Sequence, residues 1–175
     1  MSLKLVEIFC DGACVPNPGK GGWAALLRYT DEQNRVAEKI THGFDEYTTN
    51  NRMELEACIN ALETLKEPCV VTVFSDSTYL VNGATRWLWN WADKDFHNIK
   101  NPEHWKRIHE LHHVHVLSFT WIKSHSDHPE NELVDRIAYK CALRKYKAPT
   151  EENPNGQNSP TIPRACEANT NLEHR

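Results

Sequence analysis

The sequence predicts an α/β chain of mixed type, a five-stranded mixed sheet flanked by helices, with elements in the order βββαβααβα. Three β-patterned segments follow one another before any helical period appears, as in an antiparallel meander, and strand and helix patterns alternate after them. Two of the strand runs are largely apolar, as strands covered on both faces are, and each ends at an aspartate.

Leu3 to Cys10 is the first of these runs, a central strand that stops at Asp11-Gly12. Trp23 to Tyr29 follows the glycine-rich turn Asn17-Pro18-Gly19-Lys20-Gly21-Gly22, and Arg35 to Gly43 sets Val36, Glu38 and Ile40 against more polar neighbours. The period then changes. From Asn51 to Leu65 the apolar positions Leu55, Cys58, Ile59, Leu62 and Leu65 recur at helical spacing, with Thr49, Asn50 or Asn51 as N-cap and Pro68 as the stop. Val70 to Ser75 is a second buried strand, ending at Asp76. A helical stretch runs from Ser77 through Trp91, with Gly83 as a potential break. Glu103 to His113 carries Trp105, Ile108 and Leu111 on one stripe, and Val116 to Ile122 is the last strand. The final helix starts at Pro129, which suits a first turn, and reaches about Tyr146, with Val134, Ile137, Ala138 and Cys141 facing inward.

Beyond Ala148 the chain turns to Pro, Glu, Asn, Gly and Ser and cannot bury enough apolar area to offset its ordering entropy. One domain over 1–148 and a flexible tail over 149–175 are expected. Lys and Arg number 20 against 24 Asp and Glu, a net charge of −4. That balance is not the usual one for a protein relying on bulk electrostatics to hold nucleic acid, so a polyanion is expected to be held locally. No apolar run approaches the roughly 20 residues that span a bilayer, and no signal-peptide core follows Met1. A cytoplasmic protein with no membrane partner is expected. Its six cysteines, Cys10, Cys14, Cys58, Cys69, Cys141 and Cys166, read as reduced thiols. Nothing calls for a second copy, and a monomer is expected.

Four carboxylates carry the chemistry: Asp11, Glu54, Asp76 and Asp135. Singly, each has a plain structural use. Asp11-Gly12 is a common turn dipeptide, Glu54 answers Asn51 in a loose capping box, Asp76-Ser77 suits a helix cap, and Asp135 is a helical acid. Asp11 and Asp76 nevertheless both follow apolar strand runs, and strand C-terminal ends are where open α/β sheets place ligands. Gathered together, the four would repel one another, and a pair of divalent cations makes such a cluster tolerable. The product would be a two-metal phosphodiester site.

Four stretches carry a resemblance: Asp-Gly-Ala-Cys-x-x-Asn-Pro-Gly-x-Gly-Gly at 11–22, Thr-Thr-Asn-Asn-Arg-Met-Glu-Leu at 48–55, Ser-Asp-Ser-x-Tyr at 75–79, and Trp-x-Lys-Ser-His-Ser-Asp-His-Pro-Glu-Asn-Glu-x-x-Asp at 121–135. In this order they resemble the type 1 ribonuclease H family of bacterial size, over about residues 3–146. The resemblance implies a ribonuclease H-like fold and an endonuclease that cuts the RNA strand of RNA–DNA hybrids, leaving a 3′-hydroxyl and a 5′-phosphate. It implies that Asp11 bridges two Mg²⁺ ions, with Mn²⁺ as a substitute, and that Glu54, Asp76 and Asp135 complete the ligand set. It makes His125 a mobile-loop histidine that assists proton transfer or product departure. Substrate contacts fall by the same likeness on Gly12, Ala13, Asn17, Asn51 and Glu54 in the minor groove. Thr49 and Asn101 fall at a DNA-phosphate pocket, and Ser77, Trp87 and Trp91 at hybrid-facing or neighbouring core positions. For Trp87 and Trp91, four apart on a helix, plain packing is an equal reading.

The chain departs from the family at several places. The stretch from Trp91 to Trp105, where a strongly basic protrusion is common, offers Lys94 and Lys100 against Asp93, Asp95 and Glu103, which implies weaker or more metal-dependent hybrid affinity. Tyr47 replaces a frequent basic residue, Thr78 a frequent glutamine, and Ser124 and Asp127 usual glycines. Another nuclease or integrase of the same broad fold, acting on DNA, is one rival, against which the 48–55 and 121–135 segments favour the ribonuclease, and two further functions compete. His109-Glu110-Leu111-His112-His113 matches the zinc-protease pattern H-E-x-x-H, though no clear third ligand follows. A silent hybrid-binding module with the same fold is the other, and the presence of all four acids and His125 argues against it.

Overall fold

The computed structural model describes residues 3–124 and 128–148. Its strands are β1 (Lys4–Val15), β2 (Gly19–Thr30), β3 (Val36–Thr48), β4 (Cys69–Ser75) and β5 (Val116–Trp121). They form one sheet in the order β3-β2-β1-β4-β5. The first three pair antiparallel, while β4 and β5 run parallel to β1. The helices are α1 (Asn50–Glu63), α2 (Thr78–Asn82), α3 (Leu88–Ala92), α4 (Pro102–His112) and α5 (Pro129–Ala142), with a π-helical turn over Gly83–Trp87 joining α2 to α3. This is the mixed sheet with flanking helices, in the order expected.

Side chains alternate across a strand, and β1 uses both sides. Ile8 and Cys10 pack with Leu55 and Leu62 of α1, Leu80 of α2 and Trp105 of α4. Phe9 points the other way, into a second core with Leu26 and with Val134, Ile137 and Ala138 of α5. Only Ile8 to Cys10 is sandwiched in this manner, so apolar residues follow one another there, while Leu3 and Leu5 stay exposed. Among the described residues no helix is long and apolar enough to cross a membrane, and the five described cysteines are free.

Several boundaries differ from those the sequence suggests. Asp11-Gly12 does not end β1; the ladder with β2 continues from Asp11↔Ala24 to Val15↔Lys20. What ends there is the parallel ladder with β4, whose last pair is Phe9↔Phe74. Asp11 therefore lies inside its own strand, just past the point where the neighbouring one departs. β2 and β3 likewise run longer, because each antiparallel partner extends the other. α1 stops at Glu63, where Thr64 turns its hydroxyl onto the carbonyl of Ala61 at 2.7 Å, well before Pro68. α5 stops at Ala142, and Arg144 takes a left-handed φ of 59° that no helix continues.

Gly83 does not break the helix after Ser77; it opens the π turn with an ordinary helical φ of −58°. A Cβ there would stand 2.1 Å from Cη2 of Trp105. The missing side chain lets this segment lie against the indole, which is fully buried.

His115 is buried at the start of β5, where its Nδ1 accepts the Cys69 N–H at 3.2 Å. Burial holds its pKa below the usual 6.5. The unfolded chain therefore takes up a proton before the folded one does, and His115 costs stability as pH falls below about 6.5. Asparagine keeps an acceptor near the Nδ1 position and does not titrate. His115→Asn is expected to flatten part of the decline in urea-unfolding free energy between pH 7 and pH 5; an unchanged slope would remove His115 as a contributor.

Candidate active site

Close backbone approach sets the first pair of acids. A Cβ on Gly12 would stand 2.3 Å from the Glu54 nitrogen and from the Met53 carbonyl carbon. Only glycine lets β1 press against the first turn of α1, and that contact puts Glu54 beside Asp11. Thr49 caps α1, accepting the Arg52 N–H at 3.3 Å. Glu54 is then held at both oxygens: Oε1 accepts from Asn50 Nδ2 at 2.9 Å, and Oε2 accepts from the Ser77 hydroxyl. Ser77 Oγ also accepts the Leu80 N–H at 3.1 Å, so one hydroxyl caps α2 and anchors an acid of α1.

Asp76 follows the last residue of β4, and Asp135 stands in the second turn of α5. Asp11, Glu54, Asp76 and Asp135 line one cleft of about 450 Å³, which Gly12 and Ala13 share. Four remote chain segments thus deliver one acid each to the same space. Asn50, Ser124 and Asn131 also line it, and no sequence pattern singled them out for that role.

The cleft is electrostatically uncomfortable. Asp11 is 7% exposed. Burial first, then the charges of Asp76, Asp135 and Glu54, push its pKa well above the ordinary carboxylate range, against the Gly12 N–H that donates to its Oδ1 at 2.8 Å. Burial raises Glu54 to about 7, with Asp76 adding to the rise and Ser77 and Asn50 opposing it. Neutralisation by a cation would relieve both.

The donors suit a hard divalent ion, because every one is oxygen. Among the described residues no three His, Cys, Asp or Glu side chains form a ready-made ion cage. Mg²⁺ seldom requires one, since it keeps several waters and commonly binds through one or two carboxylates plus substrate phosphate. Asn131 adds a buried amide oxygen with no hydrogen-bond partner on the wall of the same cleft.

A second hollow, about 380 Å³, is lined by Asn17, Thr49, Asn51 and Asn101 together with Lys100. Asn17 Oδ1 accepts the Asn50 N–H at 3.2 Å, which ties this hollow to the start of α1. Asn101, in a left-handed conformation at φ 55°, donates through Nδ2 to the Tyr79 hydroxyl at 3.1 Å. Lys100, one of two lysines in the weakly basic stretch from Trp91 to Trp105, is the cation of the hollow. Trp87 is 42% exposed and packs on Trp91 at 5.6 Å between ring centroids, while Trp91 packs on the core residue Trp105 at 5.1 Å. Trp91 thus serves packing, and Trp87 keeps an open face. His125 lies outside the described residues, as does the expected tail. At the end of α4, Glu110 of the H-E-x-x-H match is engaged by Arg107 at 2.8 Å.

A mixed sheet of this order with an acid-lined cleft past its central parallel strands has the architecture of a phosphodiester-cleaving hydrolase. Residues 4–142 match the family model for RNase H. A ribonuclease H of Campylobacter concisus (strain 13826) is 45% identical over 142 residues, covering 81% of this chain and 95% of that one. Among solved structures, LC9-RNase H1, described as a type 1 RNase H with the type 2 active-site motif, superposes with a TM-score of 0.76 at 26% identity over 83% of this chain and 75% of the other. LC11-RNase H1, solved in complex with an RNA/DNA hybrid, shares the fold at a TM-score of 0.56 and 23% identity, over 79% of this chain and 97% of that one. The chain belongs to the ribonuclease H family and is an enzyme of it, a nuclease that binds nucleic acid. The protease and silent-module readings fall with that finding.

Asp11 has a folded pKa above its unfolded value of about 3.9, so ionising it costs the ion-free fold stability that is fully felt above the raised pKa. In EDTA at pH 8, Asp11→Asn is expected to melt about 2–4 °C higher than wild type, the shift of roughly 1 kcal/mol in a domain of this size. A lower melting temperature would mean that the carboxylate stabilises the cleft and that the repulsion is misjudged.

Proposed function

We propose that the protein hydrolyses the RNA strand of RNA–DNA hybrids in the acidic cleft, leaving 3′-hydroxyl and 5′-phosphate ends. The observation that carries this reading is the meeting of Asp11, Glu54, Asp76 and Asp135 in one cleft of a ribonuclease H family chain. Asp11, Glu54, Asp76 and Asp135 would hold two divalent ions, Mg²⁺ or Mn²⁺. When bound, those ions would supply an activated water and positive charge at the departing 3′-oxygen. The chain's own part is to fix the carboxylates: Gly12 admits Glu54 to the side of Asp11, and Ser77 and Asn50 hold the Glu54 oxygens. His125 would exchange a proton with the reacting or departing groups.

Gly12, Ala13, Asn17, Asn51 and Glu54 would face the minor groove of the hybrid, where the 2′-hydroxyl separates RNA from DNA. Ser77 and Trp87 would flank it, Trp87 through its open face. The hollow of Thr49, Asn101 and Lys100 suits a phosphate of the DNA strand, with Lys100 as the counter-charge. All four acids come from one chain, which supports a monomer whose catalytic domain is residues 1–148, followed by a tail at 149–175. Free described cysteines fit a cytoplasmic site of action.

Duplexes of RNA–DNA, RNA–RNA and DNA–DNA, each labelled on one strand and incubated with Mg²⁺, test the reading directly. Cleavage of the RNA strand of the hybrid alone is expected, and cutting of DNA or of both RNA strands would overturn it. Asp76→Asn should lower the rate by about a thousandfold or more, the scale of losing a central charge stabiliser, while leaving the circular dichroism spectrum intact. Lys100→Ala should weaken hybrid binding and reduce the slope of log K against log salt by about 1, as loss of one phosphate contact does. An unchanged slope would place Lys100 away from the duplex.

A further inference from the structure

Asp76 is gripped at both its backbone and its carboxylate. Trp121, the last residue of β5, donates its indole N–H to the Asp76 carbonyl oxygen at 3.0 Å. The carboxylate oxygen Oδ2 accepts twice, from Ser124 Oγ at 2.8 Å and from Asn131 Nδ2 at 3.2 Å. These donors come from the end of a strand, the stretch beyond it and the first turn of α5, so Asp76 is tied to three chain segments, two of which, at Ser124 and Asn131, line the cleft. Asn131 is 3% exposed and cannot swing away. Ser124 is exposed.

We propose that Ser124 is a positioning residue for ion ligation by Asp76, an inference that rests on the divalent-ion reading of the cleft. Two donors on Oδ2 fix the carboxylate plane, and among the described residues none donates to Oδ1, which makes Oδ1 the oxygen that would ligate. A hydroxyl at Oδ2 has two opposed effects. It draws a little charge from the ligand, which weakens the ion's hold, and it removes the rotation that ligation would otherwise have to freeze. For ligands hydrogen-bonded in this way the second effect dominates, and losing the outer partner lowers metal affinity about 10- to 100-fold. Asn131 still holds Oδ2 when Ser124 is removed, so the lower end applies.

The test is calorimetric titration of Mn²⁺ into the substrate-free, full-length protein. Ser124→Ala is expected to raise the Mn²⁺ Kd about tenfold, while Ser124→Thr, which keeps the hydroxyl, stays within about twofold of wild type. Thermal melts in EDTA accompany each titration, and the exposure of Ser124 leads us to expect no shift in them. An unchanged or lower Kd in Ser124→Ala overturns the proposal, as does a Ser124→Thr variant as weak as the alanine. Absence of Mn²⁺ binding by the wild type overturns both this proposal and the functional reading beneath it. The expected shifts together with no hybrid cleavage would support Ser124 in its role and overturn the substrate assignment alone.

Discussion

A buried carboxylate surrounded by three others is the constraint on which the rest of this structure depends. Asp11 is nearly inaccessible, and its nearest strong opposition to ionisation comes from burial and from Asp76. A fold selected for stability alone would place an apolar side chain at this position, because an unpaired buried charge costs several kcal/mol. The chain instead spends stability on a site that becomes comfortable only when positive charge enters.

The scaffold answers that cost with rigidity around the acids. β1 is covered on both faces, by α1, α2 and α4 on one side and by α5 on the other. Asp11 therefore sits on a strand packed against both cores. Glu54 reaches it because Gly12 has no side chain, and Ser77 joins α2 to Glu54 through a single hydroxyl. Asp76 comes from the end of β4 and Asp135 from α5, and Asn131 connects them by standing on α5 while donating to Asp76. The electrostatic strain and the packing are thus two parts of one arrangement.

Much of this was legible in the sequence, and the gaps have physical causes. Largely apolar runs mark the central strands β1 and β4, and a helical stripe marks α1, α4 and α5. Asp-Gly is also turn chemistry, so the sequence places the end of β1 too early, and only the partner strand β2 shows that the ladder goes on. Gly83 looked like a break; its real use, close contact with Trp105, is a tertiary fact with no local signature. The four acids could be proposed from their settings, yet their shared cleft depends on sheet order, which local patterns do not encode. Lys100, Ser124 and Asn131 carry no site signal of their own in the sequence, because a lone lysine, serine or asparagine in a loop or first helical turn is ordinary until its neighbours are known.

The central claim is that these four carboxylates share divalent ions against a nucleic-acid backbone. Its most direct measurement is an anomalous difference map from crystals of an inactive variant grown with Mn²⁺ and an RNA–DNA hybrid. The account predicts two peaks in the cleft, each within ligating distance of carboxylates from among Glu54, Asp76, Asp135 and the residue at position 11. Peaks only elsewhere, for instance at the His109 and His113 end of α4, or a cleft holding the hybrid without any ion, would contradict it.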